Sequence, residues 1–371
     1  MRVLVAGDFC PRNRVATLIE KGNYAYVFGE MRPILSQADY SIVNLECPVC
    51  SGREKPIDKI GPNLKCTEKG IEAIKWAGFD CVTLANNHFL DYGKDAVNYT
   101  LEILNNHRFD YVGGGRCLAE ASQVKYVKIA DKCLAIINCC EHEFSIASED
   151  TPGSNPLNPI SQYYTIREAK AKADKVIVIV HGGHEMFQIP SIRMVETYRF
   201  FIDAGADAVV NHHQHCFSGY EVYHGKPIFY GLGNFCFDND DAHSGIWTEG
   251  FAVTIDFSDN APSFALHPYQ QCSVDAKIRL LPNDSFSERL ARLNATIASP
   301  RSLRSSVEEY YTSTSHQYGA IFEPINNRFY LGAMRRGWLP SLISKKRKLL
   351  AANYILCEAH RDRLNYWLES I

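Results

Sequence analysis

The stretch KVIVIVHGGHE, residues 175–185, decides the fold class of this chain. Val176 to Val180 form a continuous run of β-branched residues, which is typical of a strand buried on both faces of a sheet. His181 follows this run directly, and a glycine pair, His184 and Glu185 come next. The segment therefore predicts an interior strand with polar side chains at its carboxyl end, where open α/β sheets bind ligands.

The same arrangement recurs along the first two thirds of the chain. Short apolar runs alternate with segments of helical periodicity, which predicts an α/β fold with covered sheets. The predicted interior strands are Val3–Ala6, Tyr40–Val43, Cys81–Ala85, Cys133–Ile137, Val176–Val180 and Ala208–Val210. The predicted helices are one capped by Thr67, one over Asp95–Asn105 and one over Ser191–Asp203. Strands then follow one another closely from Tyr220 to about Cys272, with a hairpin turn at His224-Gly225-Lys226.

The composition becomes helical after Pro282. A first apolar face recurs every three or four residues from Phe286 to Ile297, and a second runs from Leu349 to Ala359 in a helix beginning near Lys345. The sequence therefore predicts an α/β body over residues 1–282 and a helical region over residues 283–371. The basic run at residues 345–348 is interpreted as a solvated helix start, with binding of an anionic polymer or headgroup as the alternative.

Composition excludes several classes of partner and places the chain in a compartment. Lys and Arg total 39 against 42 for Asp and Glu, and the net charge of -3 gives no global footprint for nucleic acid. No apolar stretch approaches the roughly 20 residues of a membrane span, so no transmembrane segment is predicted. Thirteen cysteines and no export signal predict reduced thiols and a cytoplasmic location. The spacing of Cys47 and Cys50 matches a redox motif, but the loop-like residues after it disfavour that interpretation.

Polar residues follow five of the apolar runs. Because strand ends converge on one crevice in such sheets, these side chains are expected to meet. Each alone is equally compatible with a turn or a buried hydrogen bond, but the set together predicts a metal site. Imidazole, carboxylate and amide ligands without cysteine favour Mn, Fe or Zn, and the surplus of ligands allows one or two ions in a hydrolytic centre. The residues are Asp8; Asn44 and Glu46; Asn86, Asn87 and His88; His181, His184 and Glu185; and His212, His213 and His215.

These motifs resemble the CapA-type poly-γ-glutamate capsule-biosynthesis family, a branch of the calcineurin-like metallophosphoesterase superfamily. The resemblance covers roughly residues 1–260 and implies a four-layer α/β/β/α metallophosphatase-like sandwich with a metal centre on one edge. The chain departs from the superfamily pattern at Cys10, where an Asp-x-His motif would place a histidine. The matching segments are Gly7-Asp8, Asn44-Leu45-Glu46, Ala85-Asn86-Asn87-His88 with Asp91-Tyr92-Gly93, His181–Glu185, Gly205-Ala206-Asp207 with His212–His215, and Tyr230–Phe235.

The resemblance also implies roles for individual residues. The expected metal ligands are Asp8, Glu46, Asn87, His181, His213 and His215. Catalytic roles are expected for His88, Asp91 and Glu185, with His88 donating a proton to the leaving group or stabilising developing charge. Substrate contacts are expected for Asn44, His184 and Asn234, and His184 or Glu185 is also a candidate to orient a ligand histidine.

The function expected from these residues is metal-dependent hydrolysis. A metal-activated hydroxide would attack a phosphoester or a γ-glutamyl-type amide, so the expected partner is a phosphorylated or γ-glutamyl substrate or an anionic polymer. One alternative is a non-catalytic accessory protein that binds an anionic polymer, poly-γ-glutamate or polysaccharide, during capsule biosynthesis. A second alternative is an amide ligase component or a peptidase acting on γ-glutamyl links.

Overall fold

The predicted strands assemble into two large β-sheets. The computed structural model describes residues 1–258, 261–319 and 322–369. Its strands are β1 (Arg2–Cys10), β2 (Tyr40–Leu45), β3 (Cys81–Thr83), β4 (Asp110–Val112), β5 (Gly114–Gly115), β6 (Lys125–Ile129), β7 (Lys132–Cys140), β8 (Gly153–Ser154), β9 (Lys175–His181), β10 (Ala208–His212), β11 (Tyr220–Tyr223), β12 (Lys226–Phe229), β13 (Asn234–Phe237), β14 (Glu249–Asp256), β15 (Ser263–Gln271) and β16 (Ile278–Leu280). One sheet has the order β16-β15-β14-β1-β2-β3-β4 with β13 paired to β1, and the other has the order β11-β12-β10-β9-β7-β6.

The described residues also form thirteen α-helices. They are α1 (Asn13–Glu20), α2 (Tyr24–Phe28), α3 (Arg32–Leu35), α4 (Glu68–Ala77), α5 (Gly93–Asn106), α6 (Leu118–Ala121), α7 (Pro159–Lys172), α8 (Ile192–Ala204), α9 (Asn283–Ala298), α10 (Pro300–Gly319), α11 (Arg328–Arg335), α12 (Lys345–Leu356) and α13 (Glu358–Glu369). The predicted helix at residue 191 starts where Ser191 Oγ accepts the N–H of Met194, and it ends before Gly205 at φ +127°. Thr67 does precede α4, but its hydroxyl contacts Glu20 instead of capping the helix.

Side-chain alternation along the strands produces four layers. On β1, Leu4 and Ala6 pack into a core shared with helices α1, α4 and α5, while Val3 and Val5 pack into a second core between the sheets. That second core also contains Ile177 of β9, and α7 and α8 pack against the opposite face of the same sheet. This is the predicted α/β/β/α sandwich, and it is confirmed.

The parallel strands bring their carboxyl ends to one edge. β1, β2 and β3 are mutually parallel, as are β7, β9 and β10. His181 pairs with His212, and Asp8 pairs with Asn44 on one side and Asn234 on the other. The register of β1 shifts next to Asp8, and such irregularities re-aim a side chain at the end of a strand.

Two compact units, Met1–Leu303 and Arg304–Ile371, divide the chain. The first unit extends past the predicted boundary at residue 282, because Phe286 and Leu290 of α9 are buried in the core between the sheets. In the second unit, the helix predicted to continue through Ala359 ends at Leu356. Among the described residues, no helix combines the length and the apolar character needed to cross a lipid bilayer.

The predicted hairpin turn joins β11 and β12. Tyr223 pairs with Lys226, so the turn consists of His224 and Gly225. Both have positive φ values, 48° and 75°, as a two-residue type I′ turn requires. The turn was therefore predicted correctly from the histidine-glycine pair.

Candidate metal centre

The carboxyl ends of β1, β2, β9 and β10 converge on a buried cluster of carboxylates and imidazoles. Each expected histidine and carboxylate ligand is at most 6% exposed. Their atoms form two groups, each with ligand atoms within 4.8 Å of one another. One group is Glu46, His181 and His213, and the other is Asp8, Glu46 and His215. Glu46 belongs to both groups, which is the position of a bridging carboxylate between two ions.

Three potential ligand atoms surround Nε2 of His181. Asn87 Oδ1 lies at 3.0 Å, His213 Nδ1 at 3.1 Å and Glu46 Oε1 at 3.5 Å. One imidazole nitrogen carries at most one proton, so a hydrogen bond from Nε2 satisfies only one of these neighbours. A single cation among them would satisfy all four, and this donor set of imidazole, carboxylate and amide oxygen suits Mn, Fe or Zn.

The second group is held together by hydrogen bonds to Asp8. Asp8 Oδ1 accepts from Asn44 Nδ2 at 2.8 Å, and Oδ2 accepts the backbone N–H of His213 at 3.1 Å. His215 lies 3.8 Å from Asp8 Oδ2 through Nδ1 and 3.7 Å from Glu46 Oε1 through Nε2. These contacts fix Asp8 with its carboxylate turned toward His215 and the shared Glu46.

Glu46 supplies the strongest sign that the cluster fits a metal. Both of its carboxylate oxygens are buried, and neither has a hydrogen-bond partner. Burial, followed by the nearby Asp8 carboxylate, raises the pKa of Glu46 well above its usual range. A buried carboxylate without donors is unfavourable in a protein interior unless a cation compensates it. The Glu46 position therefore fits a divalent ion better than any contact that the chain itself offers.

The histidines of the centre favour their neutral, ligating form. Burial lowers the pKa of His181 well below its usual range, and neighbouring histidines lower it further. Burial likewise lowers the pKa of His213, and it lowers the pKa of His215 to about 4. A metal ligand must be a neutral imidazole, so this electrostatic environment suits cation binding.

Backbone strain accompanies the last two histidines. His213 has φ 90° and His215 has φ 54°, in a region that residues other than glycine rarely adopt. The segment follows β10 directly, and the positive φ values turn both imidazoles toward the shared Glu46. Strain of this kind costs free energy and is concentrated at functional sites, where the surrounding structure holds it in place.

Two residues expected to touch substrate are hydrogen-bonded to expected metal ligands. Asn44 is fully buried; its Nδ2 donates to Asp8, and its Oδ1 accepts from Thr83 Oγ1 at 3.1 Å. Asn234 is also fully buried; its Oδ1 lies 2.9 Å from His215 Nδ1, and its Nδ2 donates to the His215 carbonyl. Both side chains are thus hydrogen-bonded to an expected metal ligand, Asp8 or His215, and their expected contact with substrate stays a prediction.

The remaining expected residues lie around the cluster. His88 Nδ1 is 2.7 Å from Asp91 Oδ2, and His88 is close enough to lower the pKa of His181 and His213. Asp91 is fully buried behind His88. His184 is half-buried, and Glu185 is exposed, although its charge contributes to the raised pKa of Glu46.

Two further residues of the site carried no signal in the sequence pattern. Lys59 contacts Asp91 from a loop without regular secondary structure. Glu141 follows β7 and accepts the backbone N–H of Gly183 at 3.1 Å. A carboxylate after an apolar strand could have been selected by the rule that found Glu46, but nothing in the loop distinguished Lys59. Cys10, at the position where the resemblance places a histidine, is fully buried in the helix-covered core and lies outside both ligand groups among the described residues.

The four layers, together with a carboxylate–imidazole–amide cluster on one sheet edge, define a metallophosphatase-like α/β protein. The chain belongs to the bacterial capsule synthesis protein family PGA_cap, whose family model matches residues 2–239. It is similar to the capsule biosynthesis protein CapA of Bacillus anthracis, at 32% identity over 64% of this chain and 60% of that protein. It is also similar to the PGA biosynthesis protein CapA of Bacillus subtilis (strain 168), at 34% identity over 62% of each chain.

The matched segment thus spans about three fifths of these two relatives. Among solved structures, a novel phosphatase of Mycoplasma pneumoniae is similar over 72% of this chain and 92% of that chain, with 16% identity and a TM-score of 0.46. The resemblance to the capsule-biosynthesis family expected from the motifs is confirmed by the family match.

Proposed function

We propose that this chain is a metal-dependent hydrolase of capsule biosynthesis, acting on a phosphoester or a γ-glutamyl-type amide. The observation that carries the proposal is Glu46, a buried carboxylate shared by two ligand groups and without a hydrogen-bond partner. Asp8, Glu46, Asn87, His181, His213 and His215 would hold one or two ions of Mn, Fe or Zn. When bound, such ions supply Lewis acidity and activate water for hydrolysis.

The side chains around the cluster supply orientation and proton transfer. The hydrogen bond from Nδ1–H of His88 to Asp91 Oδ2 selects the tautomer and leaves Nε2 as the nitrogen that handles a proton. With Nε2 protonated as well as Nδ1, His88 would give the Nε2 proton to the oxygen or nitrogen of the leaving group. Asn44 and Asn234 would keep Asp8 and His215 in position during the reaction.

Family membership supports an anionic polymer, or a phosphorylated or γ-glutamyl precursor, as the substrate. The two Bacillus relatives are named for capsule and PGA biosynthesis. A carboxylate-rich or phosphorylated substrate is attracted to a centre that holds divalent cations. We extend this substrate class to the present chain, and we propose a reducing, cytoplasmic compartment because all thirteen cysteines are free thiols.

A second candidate is a polymer-binding accessory protein without catalysis. It is favoured by Cys10, because the thiol packs in the core and leaves the group around Asp8 with three ligands. Fewer ligands weaken binding of a second ion, and a single ion gives less activation than a two-metal centre. This candidate predicts polymer binding without turnover.

Elemental analysis of the purified chain tests the metal site that the first candidate requires. The wild type is expected to contain Mn, Fe or Zn, and the double variant His213→Ala/His215→Ala is expected to lose it. His224→Ala is the matched control, since this histidine is exposed in the hairpin turn and belongs to neither ligand group.

The loaded protein would then be assayed against nitrophenyl phosphate esters and a γ-glutamyl anilide. Hydrolysis that disappears with the metal supports the proposed reaction. A wild type that stays free of metal after reconstitution with each ion would contradict it and support the accessory protein.

A further inference from the structure

Lys59 is a buried lysine beside the candidate centre. Its side chain is 1% exposed, although the loop that carries it, residues 51–66, lies largely at the surface. Lysine is almost never fully buried unless its charge is paired, because removing an ammonium group from water is costly. An apolar side chain would fill the same space without that cost, so the charge itself calls for an explanation.

The ammonium group of Lys59 is surrounded by the two residues proposed to handle the proton. Nζ donates to Asp91 Oδ1 and lies 3.2 Å from His88 Nδ1. Its third neighbour is the ring of Phe144, whose centroid is 5.0 Å away and which shields the ion pair from solvent. Lys59, Asp91 and His88 thus form one buried group.

His88 Nδ1 can form only one of the two hydrogen bonds open to it, with Lys59 or with Asp91. Lys59 can only donate, and Asp91 as a carboxylate can only accept. His88 Nδ1 cannot accept from Lys59 and donate to Asp91 Oδ2 at once, and the 2.7 Å contact to Asp91 is the shorter of the two. By occupying Oδ1, Lys59 leaves Oδ2 to His88, which keeps Nδ1 protonated and leaves proton transfer to Nε2.

The loop is fastened to Asp91 on both sides of Lys59. The backbone N–H of Ile57 donates to the Asp91 carbonyl at 2.9 Å, and that of Leu64 donates to Asp91 Oδ2 at 2.6 Å. Asn63 Nδ2 also donates to the Ile57 carbonyl at 3.1 Å, which closes the loop on itself. The Leu64 bond depends on one orientation of the Asp91 carboxylate, and the ion pair with Lys59 sets that orientation.

We infer that Lys59 is a positioning residue: its ammonium group fixes Asp91, fastens loop 51–66 beside the centre, and thereby holds His88 to protonate the leaving group. The part concerning the leaving group rests on the proposed hydrolase function. The part concerning the loop does not, so the two parts can be tested separately.

The test compares four variants of the full chain, each reconstituted with Mn²⁺. Lys59→Met keeps the length of the side chain without its charge, and Lys59→Arg keeps the charge. Lys59→Met/Asp91→Asn removes both charges, so it remains available if an unpaired Asp91 prevents Lys59→Met from folding. Lys65→Met is the matched control, because Lys65 is an exposed lysine of the same loop, 4.9 Å from the Tyr92 ring.

The first readout is hydrogen exchange measured by mass spectrometry. In Lys59→Met, the amides of residues 51–66 and 88–92 are expected to exchange faster than in the wild type, while Lys65→Met exchanges like the wild type. Lys59→Arg is expected to restore part of the protection. Unchanged exchange in both Lys59→Met and the double variant would overturn the inference, whatever the activity of the protein.

The second readout is hydrolysis of two substrates that differ in leaving group. p-Nitrophenolate leaves without protonation, whereas phenolate needs a proton donor. Lys59→Met is expected to slow hydrolysis of phenyl phosphate by roughly tenfold or more relative to that of p-nitrophenyl phosphate, since a positioned general acid contributes about 10²–10⁴ to rate. Metal content should not change.

Equal losses for the two substrates would refute the link to His88. Absence of hydrolysis in the metal-loaded wild type would instead refute the proposed function, and the exchange data would then decide the anchoring role alone.

Discussion

Substitution of Glu46 by glutamine gives the sharpest test of the metal centre. Glu46 is fully buried, both its oxygens lack partners, and Asp8 is a charged neighbour. In the absence of metal this side chain therefore opposes folding, because burial and the Asp8 carboxylate disfavour its ionised form. Glutamine has nearly the same shape and no charge, and its amide N–H groups can donate to the Asp8 carboxylate. We expect Glu46→Gln to stabilise the metal-free protein and to abolish most of the stabilisation by metal.

The magnitude follows from the two roles of the carboxylate. Relieving a buried, unsatisfied polar group is worth about 1–3 kcal/mol. At roughly 2 °C per kcal/mol for a unit of this size, the melting temperature of the metal-free variant should rise by about 2–6 °C. Metal at a thousandfold excess over its Kd stabilises the wild type by about 4 kcal/mol, or roughly 8 °C. Loss of the ligand common to both groups should reduce that shift to roughly 3 °C or less.

Differential scanning fluorimetry at pH 7.5, with chelator and with Mn²⁺ or Zn²⁺, measures both effects. Asp238→Asn is the matched control, because Asp238 is an equally buried carboxylate that is paired with Arg14. That variant should melt lower with and without metal, and the metal-induced shift should stay as in the wild type. The reasoning is refuted if Glu46→Gln melts lower than the wild type in chelator, or if it retains the full shift with metal.

Three further outcomes are expected. First, the metal-free protein should lose stability as the pH falls from about 6.5 toward 4. Burial lowers the pKa of His181 and His215 in the folded state, so the unfolded state takes up protons first. Denaturant titrations at several pH values check this. Second, His215→Ala should lower the number of ions bound per chain without abolishing binding, as elemental analysis will show, since the group around His181 keeps its own ligands. Third, Gly7→Ala should prevent folding or destabilise by roughly 4 kcal/mol or more, because its Cβ would lie 1.8 Å from the Gly233 carbonyl oxygen; expression and thermal melting test it.

The strands that the sequence predicted are those with a strong apolar signal. The run at Val176–Val180 corresponds to β9, which is buried over nearly its whole length. β6 was missed because it alternates partly exposed residues at the sheet edge and contains two lysines. Helix α7 was missed for a related reason: only Gln162, Ile166 and Ala169 of its residues are buried, so its apolar periodicity is weak. The more apolar surface a strand or helix buries, the more clearly its hydrophobic pattern predicts it.

The ligands of the candidate centre were predictable for a different reason. Parallel strands end at a common edge, so a polar residue after an apolar run has a known location before any packing is known. The direction in which a side chain points is not fixed by that rule. Asn44 lies near the end of β2 and Asn87 lies beyond β3, yet Asn87 points its oxygen at His181 whereas Asn44 donates to Asp8. Asn234 begins β13 and is hydrogen-bonded to His215.

The position of Lys59 could not be predicted from the hydrophobic pattern of the sequence. No apolar run precedes it and no periodic pattern contains it, because its place is set by an ion pair with Asp91, 32 positions away. The charge of Asp91 could have suggested a partner, since a buried carboxylate next to a histidine is more stable with a cation. The chain offers many lysines, however, and only the folded loop brings this one to the pair.

The two ligand groups offer different numbers of ligands. Because the chain has Cys10 where the resemblance places a histidine, this difference bears on function. Around His181 the chain offers Glu46, His213 and the Asn87 oxygen, whereas Asp8 and His215 share Glu46 without a further described ligand. Two ions would have to share Glu46 as a ligand. The group with more protein ligands should bind the first ion, because each ligand that is already oriented lowers the entropic cost of binding. The first ion should therefore sit beside His88, where the proposed proton donor acts. The proposed hydrolysis would then depend on whether one ion, with His88 held by Asp91 and Lys59, activates the substrate sufficiently, and a second ion would only add rate.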